Sequence, residues 1–187
     1  MLFSSITFLY YFLPIVLILY FIAPKKIKNL VLFLASLIFY AWGEPKYVVL
    51  MLLSVGIGYL AGILMEKFPK RPVMIVAVIL CLGFLVYFKY ANFFFTNLNY
   101  LLKTQIPLLK VVMPIGISFY TFQIISYILD VYFDKVKVQK NILYLATYIT
   151  MFPQLVAGPI VRYETINQQL SNRNHQIENI TEGIKRF

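Results

Sequence analysis

Seven stretches of this chain contain no charged residue: 1–24, 29–43, 47–65, 72–88, 90–102, 111–129 and 141–161. That pattern restricts the fold more than any other feature. An apolar helix needs about 20 residues to cross a bilayer perpendicularly. The runs beginning at Tyr47, Val111 and Asn141 meet that length, and Ile6–Ala23 and Pro72–Phe88 come close. The 29–43 run gives only ~22 Å of helix, so it is expected to be short or tilted and to continue through the Trp42-Gly43-Glu44-Pro45 turn. Residues 90–102 hold three asparagines, a composition that predicts a segment at the membrane interface or one dipping into it. The expected fold is an all-α integral membrane protein, a multi-spanning helical bundle of about six transmembrane helices, some short or kinked.

Composition agrees. Of 187 residues, 61% are hydrophobic and 13% charged, against about 25% charged in soluble domains. The formal net charge of +10 would suit nucleic acid if it lay on a polar domain, but the cations sit between the apolar runs. They fit loops against an anionic bilayer surface, which makes the lipid bilayer the expected partner and excludes nucleic acid. Lys25, Lys26, Lys28, Lys67, Lys70, Arg71, Lys135, Lys137 and Lys140 follow the first, third and fifth spans, against Lys46, Lys89, Lys103 and Lys110 in the alternate loops. Nine against four orients the first set to the cytoplasm and the N-terminus outside. The first 24 residues are uncharged and followed by lysines, the reverse of a cleaved leader, so the first span is expected to be retained. The lone Cys81 and lone His175 offer neither a disulfide nor a metal cluster. His175 lies in the polar stretch Asn172-Arg173-Asn174-His175-Gln176 and reads as a solvated loop residue. Residues 164–187 read as a polar loop or surface helix.

Polar groups inside the apolar runs carry the functional interest, because hydrocarbon makes them costly. In the 111–129 run Pro114 suits a first helical turn, and Ser118, Gln123, Ser126 and Asp130 then fall within an arc of about 140°. Such an arc either lines a passage for a polar or acyl substrate or bonds helix to helix. Asp130, beside Lys135, reads as a surface ion pair. In the 141–161 run Pro153 must bend or end the helix, and breaks at membrane depth often line sites. After Gly158 and Pro159 comes Arg162, able to grip phosphate or carboxylate or to snorkel to headgroups.

Four stretches resemble the membrane-bound O-acyltransferase family, in its alginate O-acetylation and teichoic-acid D-alanylation branch: Phe3-Ser4-Ser5 with Phe8-Leu9; Ala35-Ser36-Leu37-Ile38-Phe39-Tyr40-Ala41-Trp42-Gly43-Glu44-Pro45; Pro114-Ile115-Gly116-Ile117-Ser118-Phe119-Tyr120-Thr121-Phe122-Gln123; and Phe152-Pro153-Gln154-Leu155-Val156-Ala157-Gly158-Pro159-Ile160-Val161-Arg162. The resemblance implies the N-terminal part of one membrane domain, 1–187, of an acetyltransferase in the bacterial cytoplasmic membrane. That enzyme would pass an acyl group from a cytoplasmic donor, such as acetyl-CoA or an acyl carrier, toward an extracytoplasmic polysaccharide or cell-wall polymer, with an acyl-relay protein as a further partner. No bound cofactor or metal is implied. The family's essential histidine is expected beyond the C-terminus, so no catalytic residue falls in this chain, which is expected to be inactive alone. Ser118, Gln123, Gln154 and Arg162 are then the passage-lining candidates, with Pro114, Gly116, Pro153, Gly158 and Pro159 shaping the backbone. A transporter or channel subunit, and a small non-catalytic membrane partner, are the competing readings.

Overall fold

The computed structural model describes residues 5–109, 111–155, 161–171 and 181–183, and these are all helix, turn or loop, with no strand among them. A π-helical turn, Thr7–Phe12, runs into α1, Leu13–Ile22. Helix α2, Lys28–Gly43, is joined by a 3-10 turn, Pro45–Tyr47, to α3, Val48–Lys67. Helix α4, Lys70–Leu85, passes through a π-helical turn, Val86–Tyr90, into α5, Ala91–Leu102. Helix α6 is Ile117–Tyr132 and α7 Ile142–Thr150; the single turn α8, Phe152–Leu155, and α9, Tyr163–Ser171, follow.

Two helical stretches, Pro45–Lys67 and Lys70–Leu102, are long and apolar enough to cross a membrane, and Thr7–Ile22 and Lys28–Gly43 are shorter apolar helices. Their outward faces carry Ile15, Ile18, Ile22, Leu53, Leu60, Ile79 and Leu80, each at least 49% exposed. Water does not tolerate so much contiguous apolar surface, and a bilayer does.

The structure refines three expectations. Residues 90–102 form no separate helix, because the helix runs unbroken from Lys70 to Leu102. At 33 residues it is ~50 Å long, more than a hydrocarbon core requires. The asparagines do other work: Asn92 and Asn99, seven residues apart on one face, each exchange two hydrogen bonds of 2.8–2.9 Å with the backbone of Leu109 and Ile106 and so hold the following loop. The 141–161 run, although long enough for a span, is broken beside Pro153 as that proline led one to expect. It breaks at Met151, leaving α7 with nine residues, ~14 Å. Finally, α6 starts at Ile117, not at Pro114, because Gly116 takes a left-handed φ of 76° that no right-handed helix admits.

Helix α6 is the centre of the bundle, packed against α3, α4 and α7. Gly58 and Gly62 let α3 approach: a Cβ at Gly62 would lie 2.5 Å from the Tyr127 hydroxyl. Lipid gives apolar side chains no drive to leave it, so close packing through small residues is what holds such helices together. Tyr120, Ile124, Tyr127 and Ile128 of α6 are all wholly buried.

Candidate functional site

The described parts of the four family-like stretches are linked to one another: the first, second and fourth through an aromatic cluster, and the second, third and fourth at the start of α6. Phe8 from the first, Phe39 from the second and Phe152 from the fourth form an aromatic triangle with centroid separations of 5.7, 6.0 and 5.6 Å. Edge-on pairs of this kind add about 0.5–1.5 kcal/mol each beyond their burial. The polar links are more specific. Each joins a side chain of one stretch to a group in another.

Ser36 Oγ, wholly buried, accepts the Phe152 N–H at 3.2 Å. Phe152 opens the one-turn helix after the break at Met151, so its N–H has no intrahelical acceptor and needs a partner at this depth. Glu44 Oε2 likewise accepts the Ile115 N–H at 2.8 Å, where the chain turns before α6. At Gly116 an added Cβ would sit 2.7 Å from the Leu155 carbonyl oxygen, so only glycine fits between the third and fourth stretches. Pro114 is buried beside that turn, and its carbonyl accepts the Ile117 N–H. Pro153 lies in the first turn of α8, where its missing N–H costs nothing. Gly158 and Pro159 fall outside the described residues, as does His175.

Gln123 and Gln154 come together. Gln123 Nε2 donates to Gln154 Oε1 at 3.2 Å, and Gln123 is only 1% exposed. Among the described residues its own Oε1 has no hydrogen-bond partner, nor do the buried hydroxyls of Tyr40 and Tyr120. The other two passage candidates are elsewhere. Ser118, in the first turn of α6, accepts a hydrogen bond from Lys89 Nζ at 3.1 Å, so that lysine reaches across from the π-helical turn. Arg162 is exposed, with its charge felt at Asp130 at the far end of α6. Twelve residues, ~18 Å, separate Ser118 from Asp130 along the helix, and Gln123 lies between them. The structure thus joins two of the four candidates and sets the others toward opposite ends.

Asp130 is not the exposed pair expected of it. It is 6% exposed, and no ion pair within 4 Å includes it among the described residues. The segment after α6 folds back over it, with the Lys135 N–H donating to the Asp130 carbonyl at 2.9 Å. Among the described residues no group of three or more His, Cys, Asp or Glu could hold a metal ion. Sequence reasoning passed over Ser36, Glu44 and Lys89 as site-building groups. A signal existed for the α3–α6 contact, the four-residue spacing of Gly58 and Gly62, a known close-packing pattern.

The chain aligns over its whole length with probable alginate O-acetylases. It is 38% identical over 196 residues to that of Pseudomonas putida, covering 40% of it, and 36% identical over 196 residues to that of Pseudomonas aeruginosa, covering 38%. A peptidoglycan O-acetyltransferase of Helicobacter pylori is 32% identical over 212 residues, with 96% of this chain and 40% of that protein covered. The chain therefore spans about two fifths of the length of these curated relatives. No protein-family model matches it, and no solved structure does. The four converging stretches and the full-length alignment together make this chain a member, as a segment, of the alginate O-acetylation branch of the membrane-bound O-acyltransferases.

Proposed function

We propose that this chain builds one wall of a transmembrane acyl-transfer passage, in an enzyme that O-acetylates an extracytoplasmic polysaccharide or cell-wall polymer. The relatives' names supply the reaction class, acetyl transfer to a polymer hydroxyl, and favour it over solute transport. The observation that carries the wall is Gln123: wholly buried at the meeting of the third and fourth stretches, joined to Gln154, with an acceptor oxygen left over. An unsatisfied amide oxygen costs about 1–3 kcal/mol at such a site, so its retention fits a group held ready for a passing ligand or water.

In this reading the chain crosses the bacterial cytoplasmic membrane five times up to the end of α6, with its N-terminus outside, and the short α7 adds no sixth crossing. The end near Asp130, Lys135 and Arg162 then faces the cytoplasm, where an acetyl donor such as acetyl-CoA or an acyl carrier arrives. Ser118 and Lys89 face the other side, toward the acceptor or an acyl-relay protein. Arg162 contributes a cation at the entrance, and Gln123 and Gln154 guide the acyl carbonyl at mid-depth.

The test is Gln123→Leu in the acyltransferase that carries this chain, with polymer O-acetyl content read by NMR and membrane levels by immunoblot. Loss of the paired amide is expected to lower acetylation about tenfold at unchanged protein level, the size of one lost hydrogen bond to a reacting group. Unchanged acetylation would remove Gln123 from the passage.

A further inference from the structure

Where α3 ends and α4 begins, a cavity of about 930 Å³ opens against the segment that joins α6 to α7. Six charged residues line it: Glu66, Lys70, Asp134, Lys135, Lys137 and Lys140. Lys70 pairs with Asp134, and Lys140 Nζ lies 3.4 Å from Glu66 Oε2. Both carboxylates are thereby taken. Among the described residues no ion pair within 4 Å takes Lys135 or Lys137, although the buried Asp130 carboxylate lies within electrostatic reach of Lys135, so two lysines on the cavity lining are without a direct ion-pair partner.

The wall that carries them is held in place. Asp134 adopts a left-handed φ of 56°, a conformation aspartate tolerates better than most residues, and its carboxylate is anchored by Lys70. The N–H groups of Lys135 and Val136 both donate to the Asp130 carbonyl. Further along, the Gln139 N–H donates to Tyr127 Oη at 3.1 Å, and Tyr59 Oη donates to the Lys140 carbonyl at 2.9 Å. The segment is therefore pinned to α3, α4 and α6 on either side of the two lysines. The volume lies at the upper end of that of ordinary small-ligand sites.

We propose that this cavity binds a phosphate-bearing ligand, with Lys135 and Lys137 gripping the anion and the two ion pairs bracing the wall. A phosphodiester carries one negative charge and a phosphate monoester nearly two, and two ammonium groups that each act as a point charge can hold either. Two sources share that chemistry: a soluble phosphoryl compound and the headgroup of an anionic phospholipid. The site goes beyond the acetyl-transfer reading and stands or falls independently of it.

The purified protein in phosphatidylcholine nanodiscs would be titrated with pyrophosphate by calorimetry. In parallel, retention of phosphatidylglycerol would be read by native mass spectrometry. The double variant K135Q/K137Q is expected to bind pyrophosphate about tenfold more weakly, the loss of two solvent-accessible cation contacts. K103Q, which removes an exposed lysine elsewhere, should match the parent. Should only phosphatidylglycerol retention fall in the double variant, the phosphate is a lipid's and the site stands. If K135Q/K137Q and the parent agree in both measurements, the proposal is wrong. The charge-conserving K135R/K137R variant should bind as the parent does, and loss of binding there would equally overturn the assignment.

Discussion

Gly116→Ala strikes the contact between the third and fourth family-like stretches, and its cost can be worked from the geometry. The residue has φ 76°, and a left-handed conformation costs a residue with a Cβ about 1–2 kcal/mol. The new Cβ would also lie 2.7 Å from the Leu155 carbonyl oxygen and 3.3 Å from its Cγ. A backbone oxygen in the pinned turn α8 cannot swing aside, so the two elements must separate by several tenths of an ångström. Overpacking of that kind costs about 1–3 kcal/mol. Restricting the unfolded chain returns about 0.4–1 kcal/mol, which leaves a net loss of about 3 kcal/mol. Gly83→Ala is the matched control. It lies inside α4 with nothing within 4 Å of an added Cβ, and alanine there should stabilise the helix by about 0.5–1 kcal/mol. Both variants would be unfolded by titrating SDS into mixed micelles, with helicity followed by circular dichroism. Gly116→Ala should unfold at clearly lower SDS fraction than the parent and Gly83→Ala at or above it. Coincident transitions for the two variants would refute the close-contact argument.

Two further outcomes follow from buried hydrogen bonds. Ser36→Ala leaves the Phe152 N–H without its acceptor and should cost about 1–3 kcal/mol, whereas Ser54→Ala, whose hydroxyl bonds only the Leu50 carbonyl of its own helix, should be near neutral in the same titration; equal losses would discount the cross-motif bond. Tyr163, in the polar helix α9, is pushed above the ordinary tyrosine value by burial, partly offset by the hydrogen bond from Gln139 Nε2. A phenol whose folded value is raised contributes fully below its unfolded value, about 10, and that contribution is lost as pH rises through the folded value. Tyr163→Phe keeps the ring beside Tyr127 and Tyr148 and should unfold about 1–2 kcal/mol more easily than the parent at pH 8, with the gap narrowing by pH 11; a widening gap would reverse the sign of the argument.

How much of this was legible beforehand depended on the kind of physics involved. Charge-free runs reveal where helices can be apolar, and α2, α3 and α4 emerged close to the runs that announced them. Where helices stop is settled by single groups. Gly116 delays α6 through one dihedral angle, and the break at Met151 shortens α7 although the apolar run continues. The bonding of the α5 asparagines could not be read from their own run, because their partners, the backbone of Ile106 and Leu109, lie beyond it. The pairing of Gln123 with Gln154 was likewise invisible to helical stepping, which arranges residues around one axis and says nothing of which axes meet. Asp130 was misplaced for the same reason: the fold-back of residues 133–140 that buries it is a tertiary event.

The same distinction separates structural polar groups from functional ones. A break in a helix at membrane depth frees backbone groups that lipid cannot satisfy. The links among the four stretches answer that demand: Ser36 takes the Phe152 N–H, Glu44 takes the Ile115 N–H, and Gly116 yields room to the Leu155 carbonyl. Each such residue is accounted for by the backbone it serves, so its presence in the motif requires no ligand. Gln123 is different. Among the described residues its side chain satisfies no freed backbone group, makes its one hydrogen bond to another side chain, and leaves its oxygen unpaired in the bundle's interior. Leucine would pack there without that penalty, since two apolar partners of similar shape can replace a buried polar pair at little cost. Stability alone therefore gives little reason for glutamine at this position, and that is the ground on which Gln123 is proposed for the passage.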